Sequence, residues 1–180
     1  KGIKWSERKM QWEAPSGARL WMSYLDRDDD VLRYQGLAFS WIGFDELTQW
    51  STPYAWNYMR SRLRSVAQDL PVYMRATTNP GGPGHQWVKK MFIDPAPYGK
   101  QFNATDIESG NVLSYPKGHT KSGQPLFKRR FIPARLSDNP YLSAQGDYET
   151  MLLSLPEHQR KQLLDGDWDI KEGAAFSEFD

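Results

Sequence analysis

The amino-acid sequence predicts an α/β fold carried by parallel strands, on three observations. The first is Leu37-Ala38-Phe39-Ser40-Trp41-Ile42-Gly43-Phe44, an apolar run of strand length. It stops at two adjacent carboxylates, Asp45 and Glu46, with the polar Thr48-Gln49-Trp50-Ser51-Thr52 beyond them. The second is Thr52-Pro53, a helix start followed by Ala55, Met59, Leu63 and Val66 at helical spacing, which predicts an amphipathic helix over 53–69. The third is the β-rich stretch over 72–77, restarted by Pro71. Strand, helix, strand in this order is a parallel crossover. An interior strand of such a sheet is covered on both faces, and ligands gather at the strands' carboxyl ends, where Asp45 and Glu46 would stand.

Length and composition agree with one well-packed unit. A chain of 180 residues can bury a good core, and eight Trp argue against disorder. The balance of 23 basic and 22 acidic residues gives a net charge of +1, so any attraction to nucleic acid must be local. Cysteine is absent, which removes disulfides and thiolate metal sites. His85, His119 and His158 lie too far apart in sequence to suggest a zinc site. No apolar run approaches the roughly 18 residues of a spanning helix, and no signal-peptide pattern is present. The chain starts at Lys1 in mid-pattern and reads as a piece of something longer.

Taken in order, residues 1–17 are rich in charge and aromatics and close on the turn Pro15-Ser16-Gly17, after which 19–25 has strand composition. Asp26, Asp28 and Asp30 alternate like the start of a calcium loop. That loop needs Gly at its sixth position and Glu at its twelfth, and Val31 and Leu37 stand there, so a solvated hairpin turn is expected instead. Arg60, Arg62 and Arg64 are expected on the solvated face of the 53–69 helix. Residues 85–92 have helical content, and 103–115 is polar with a short strand. Lys117, Lys121, Lys128, Arg129 and Arg130 cluster around Gly and Pro: either a backbone-tracking DNA contact or a solvated insertion. Asp138-Asn139-Pro140 starts a helix whose Tyr148, Met151, Leu152 and Leu155 share a face. Ser154-Leu155-Pro156-Glu157 offers a capping box for a second helix ending near Gly166.

Two adjacent carboxylates at a strand's end suit nucleotide hydrolysis of the P-loop type, in which one acid holds magnesium and a second group activates water. The alternative is a strand followed by an Asp-started turn with both acids solvated. The second strand ends in Thr77-Thr78-Asn79 and a glycine-proline turn. In a sheet with the acid pair next door, these groups could touch a terminal phosphate or its water; otherwise the turn merely changes direction, with Asn79 capping it.

Three ordered segments carry a family resemblance: Tyr34-Gln35-Gly36, then Ile42-Gly43-Phe44-Asp45-Glu46-Leu47-Thr48, then Arg75-Ala76-Thr77-Thr78-Asn79-Pro80-Gly81-Gly82-Pro83-Gly84-His85. They resemble the large terminase subunit of tailed bacteriophages, an ATP-driven motor that packages DNA. Residues 131–142, 163–169 and Gly173-Ala174-Ala175-Phe176 resemble the end of its motor domain.

The resemblance implies a P-loop NTPase-like, mostly parallel sheet flanked by helices. Residues 1–137 would be the later part of the ATPase domain, 138–170 a helical lid, and 171–180 the start of an RNase-H-like endonuclease domain. It implies ATP and Mg2+ as cofactors, with Asp45 on the magnesium shell through water and Glu46 as the base. Thr77, Thr78 and Asn79 would be the coupling motif, and Arg33 is a candidate arginine finger although Gln35 occupies the place next to Gly36. Implied partners are double-stranded DNA, a portal protein, a small terminase subunit and further copies in a ring, in the host cytoplasm at the procapsid and away from membranes.

The Walker A loop does not precede Asp45, and the late imitation Gly118-His119-Thr120-Lys121-Ser122 reads as a basic surface loop. A non-catalytic scaffold derived from a P-loop ATPase is therefore the second expectation. A helicase is a neighbouring third, although Leu47-Thr48 departs from the usual helicase continuation.

Overall fold

The computed structural model of the chain describes residues 2–67 and 69–169. The predicted nuclease start at 171–180, with Gly173-Ala174-Ala175-Phe176, lies outside the described residues. The chain opens with a three-stranded antiparallel meander, β1 (Lys4–Ser6), β2 (Gln11–Glu13) and β3 (Arg19–Trp21). The predicted Pro15-Ser16-Gly17 turn joins β2 to β3, with Gly17 N–H donating to Ala14 O at 2.9 Å. The strand predicted over 19–25 stops at Trp21. A 3-10 helix, Asp28–Tyr34, replaces the expected hairpin turn. Asp30 organises it, its carboxylate accepting from the backbone N–H groups of Asp26 (2.8 Å) and Arg27 (3.0 Å).

β4 (Trp41–Phe44), α1 (Tyr54–Arg60) and β5 (Tyr73–Ala76) make the predicted crossover, and β4 and β5 pair in parallel with Trp41 opposite Tyr73 and Phe44 opposite Ala76. Ile42 points down onto Val31, Ala55 and Met59, all buried. The opposite face is not covered as an interior strand's would be. Trp41 lies there half exposed, its indole so close over Gly43 that a Cβ on Gly43 would meet Trp41 Cη2 at 2.5 Å.

The helix predicted over 53–69 ends at Arg60. Beyond it the backbone pairs with the approach to β4: Phe39 N–H donates to Arg62 O and Arg64 N–H donates to Phe39 O, both at 3.0 Å. Those bonds occupy groups a longer helix would use internally, and Val66 is left fully exposed. Of the three arginines expected on a solvated face, Arg64 is exposed and donates through Nη2 to Gly36 O and Leu37 O, whereas Arg62, over the Tyr58 ring, and Arg60 are half-buried.

After β5 come α2 (His85–Val88), a π-helical turn Lys89–Ile93, and the antiparallel pair β6 (Gln101–Asn103) and β7 (Lys128–Arg130). The fold is mixed α/β, but the expected mostly parallel sheet is not what the described residues form. They form three small sheets, of which β4–β5 is the parallel one. The meander's short turns admit only antiparallel pairing, and the β6–β7 connection doubles back on itself, Leu113 N–H donating to Ala104 O and Leu126 N–H to Leu113 O.

Three short helices follow: α3 (Pro140–Gln145), α4 (Asp147–Leu153) and α5 (Glu157–Leu163). Asn139 caps α3 as predicted, accepting from the N–H groups of Tyr141 and Leu142. The predicted capping box does not form, because the Ser154 hydroxyl donates to Met151 O. Of the predicted apolar face only Leu152 is buried; Tyr148 and Met151 are exposed. A second core of Leu47, Trp56, Trp87, Val88, Met91, Ile93 and Trp168 ties the end of β4 to α1, α2 and the chain beyond α5.

Candidate functional site

The parallel register sets the site. With Phe44 opposite Ala76, the next residues out of the sheet are Asp45 and Thr77, and the Thr77 hydroxyl donates to Asp45 Oδ1. Asp45 Oδ1 also accepts from Glu46 N–H at 3.1 Å. Its second oxygen has no partner among the described residues, and the side chain is exposed. Glu46 sits in the left-handed region, φ 50° and ψ 52°, one of two non-glycine residues with positive φ among the described residues. That conformation costs a non-glycine residue about 1–2 kcal/mol. It breaks strand alternation and turns the chain into the 3-10 turn Leu47–Gln49.

Two strand exits are laced together behind the acids. Leu47 N–H donates to Thr77 O (3.0 Å), Thr48 N–H to Thr78 Oγ1 (3.1 Å), and the Thr48 hydroxyl to Asn79 O (3.0 Å). Thr77, Thr78 and Asn79 are thus brought beside Asp45 and Glu46, with Thr78 engaged on Thr48. Thr48 is buried, and it fixes the glycine turn as well, since Gly84 N–H donates to its carbonyl at 2.7 Å.

The glycines explain themselves by close approach. A Cβ on Gly84 would lie 2.1 Å from Trp50 O, and one on Gly82 (φ 78°) 2.9 Å from Thr48 O. Buried His85 completes the turn. Its Nδ1 accepts from Gly81 N–H at 2.8 Å, so Nε2 carries the proton and donates to Trp168 O at 3.2 Å, with the imidazole stacked on the Trp168 indole. Sequence reasoning gives Thr48 and His85 no role in the site, although both stand in the segments that carry the resemblance. Their signal was position: a threonine just beyond the acids and a histidine closing a Gly-rich turn.

Asp45 and Glu46 are the two residues common to two clefts. One, of about 1080 Å³, runs along β4 past Trp21, Asp28 and Trp41. The other, of about 1180 Å³, is walled by the open side of β5, the Thr77–Asn79 tip, Arg60 and β7.

Arg33 lies away from the acids' hydrogen bonds. Its Nη2 donates to Tyr24 O (2.9 Å), its Nε to Asp30 O (3.2 Å), and the guanidinium pairs with Asp30 at 3.7 Å. The basic cluster divides. Lys117 and Lys121 are exposed on the connection between β6 and β7, with Lys121 Nζ over the Tyr115 ring, and Lys128 and Arg130 are exposed on β7. Arg129 departs from the expected basic surface: it points inward and is buried, with Nη1 donating to Thr105 O at 2.9 Å, so it does not belong to a DNA-facing surface. Burial first, and then neighbouring Arg60, push its pKa down to about 10, which still leaves it charged at neutral pH.

Among the described residues no group of three or more His, Asp or Glu side chains gathers as a metal site, and no helix is long and apolar enough to cross a membrane. The fold and site define a class: a mixed α/β protein with an acid doublet and a hydroxyl-rich tip leaving a parallel strand pair together. No protein-family model matches the chain, nor does any curated protein or solved structure.

Proposed function

We propose that this chain carries the acid pair and coupling segment of an ATP-hydrolysing motor of the phage large-terminase kind, with a P-loop supplied elsewhere in the complete protein. One observation carries the reading: Asp45–Glu46 and Thr77-Thr78-Asn79 emerge side by side from parallel neighbours and are bonded to each other. Magnesium suits this donor set, because it keeps much of its water and needs only one or two carboxylates. Asp45 has an exposed oxygen to offer that water shell, and the Thr77 hydroxyl steadies the other oxygen. When bound, the ion offsets charge on the transferred phosphoryl group.

Glu46, turned outward by its backbone, takes the proton from an attacking water. The Thr78–Thr48 contact then passes a change at the acids to the glycine turn, and through His85 to Trp168. Lys117, Lys121, Lys128 and Arg130 present positive charge for sequence-independent contact with double-stranded DNA. The working assembly is a ring of copies on a portal protein, with a small terminase subunit, in the host cytoplasm; the helices over 138–169 act as its lid.

The test is Glu46→Gln in the complete protein, which removes the base and keeps the phosphate cradle. Turnover should be abolished while ATP binding stays close to wild type. Undiminished hydrolysis would take Glu46 out of this role and return the chain to the scaffold reading.

A further inference from the structure

The wall of the cleft opposite the acids holds two guanidinium groups with no counter-charge. Arg60, at the end of α1, and Arg129, in the middle of β7, both lie on the Phe127 ring, their Cζ atoms 4.2 and 5.4 Å from its centroid. Phe92 flanks Arg129 as well, at 5.5 Å. Neither arginine has a carboxylate within salt-bridge distance among the described residues. Arg129 is 8% exposed and places one of its donors on Thr105 O. Arg60 Nη1 is out of reach of solvent and has no hydrogen-bond partner among the described residues.

A charged group buried like Arg129 is ordinarily paired, and an orphaned buried donor such as Arg60 Nη1 calls for an explanation. Aromatic faces attract a guanidinium's plane but accept none of its in-plane N–H bonds. Two such groups on one ring repel each other at a further electrostatic cost, which burial magnifies. A doubly charged oxyanion in the cleft neutralises the pair and offers acceptors matched to the guanidinium fork.

We propose that Arg60 and Arg129 form a binding site for a phosphate-class oxyanion, free or at the end of a nucleotide, in the cleft between β5 and β7. Lys128 and Arg130 flank Arg129 on the same cleft wall and add long-range attraction. Asp45 and Glu46 line the same cleft without pairing to either arginine, so they bound the site without filling it. The site does not rest on the motor reading: it stands whether or not the acids hydrolyse anything.

The test is calorimetric titration of the full chain with inorganic phosphate and, separately, with ADP, at ionic strength held constant with sodium chloride. Saturable binding of either is expected, and comparing the two separates free phosphate from a nucleotide's. Arg60→Met and Arg129→Met, which keep the packing length and lose the fork, should each weaken it at least tenfold. Arg60→Lys should retain part of it and guards against misfolding in the Met variants. Arg8→Met, at an exposed arginine on the turn between β1 and β2, should leave it unchanged, and because the readout is binding without turnover it stands apart from the hydrolytic proposal. Absence of saturable binding in the wild type, or binding indifferent to Arg60→Met and Arg129→Met, overturns it.

Discussion

Gly84→Ala is the sharpest probe of how the site is built. Gly84 has φ −94°, a value any residue adopts, so the substitution meets no backbone strain of its own. The obstacle is space. The new methyl would lie 2.1 Å from Trp50 O, 2.7 Å from Trp87 Nε1 and 3.0 Å from Thr48 O. A carbon needs about 3.5 Å, so something must move by more than about 1 Å. The groups in the way are those that hold the turn: Gly84 N–H on Thr48 O and Trp87 Nε1–H on Trp50 O, both at 2.7 Å.

Losing or stretching two partly buried hydrogen bonds costs about 1–3 kcal/mol each, and overpacking adds about 1–3 kcal/mol. The entropy removed from the unfolded chain returns only about 0.4–1 kcal/mol. A net loss of about 2–9 kcal/mol follows, a large share of the roughly 5–15 kcal/mol that holds a domain folded. Gly36→Ala is the control: it has φ 83° and open space around it, so strain alone acts, about 1–2 kcal/mol. Urea unfolding of both variants decides. If Gly84→Ala destabilises no more than Gly36→Ala, the glycine turn is not packed on the β4 exit as described.

Other outcomes follow from the same geometry. Thr78→Val strips the acceptor from buried Thr48 N–H, so stability should fall by about 1–3 kcal/mol. Under the motor function proposed above, this variant of the complete protein should hydrolyse ATP while moving DNA poorly, and packaging at the normal rate would refute the proposed coupling role. Glu46→Gly should be more stable than Glu46→Ala by about 1 kcal/mol, since only glycine sits in the left-handed region without strain; equal melting points would contradict that conformation.

Asp30 gives a pH dependence. Its pKa is held below the ordinary 3.8 by the Arg27 N–H first and the Asp26 N–H second. A depressed carboxylate stabilises the fold above its unfolded pKa and loses that contribution as pH falls through the folded one. The stability gap between wild type and Asp30→Ala should therefore be full at neutral pH and shrink below about 4; a gap constant with pH would exclude the carboxylate as the organiser of the 28–34 turn.

Much of the site was legible because its ingredients are local. An apolar run ending in Asp45-Glu46 and a second strand ending in Thr77-Thr78-Asn79 are visible as letters, and the helix between them dictates parallel pairing. Helix length was misjudged because the spacing of Leu63 and Val66 says nothing about Phe39, whose backbone takes the chain out of the helix. The arginines were misplaced for a related reason. Charge predicts exposure, yet Phe127, distant from Arg60 in sequence, makes a ring face available to it. Glu46's left-handed backbone has no sequence signal, since the turn is imposed by the Leu47 and Thr48 bonds to the neighbouring strand end.

The imidazole of His85 joins two backbone atoms that are far apart along the chain, Gly81 N and Trp168 O. Its acceptor faces the glycine turn and its donor faces the stretch after α5, so the ring works as a fixed-length strut between them. Because the threonine lacing ends in that same turn, the strand tips and Trp168 are joined by a continuous run of hydrogen bonds through the imidazole. The indole there, stacked on the strut, would register a displacement of the strut as a change in its emission.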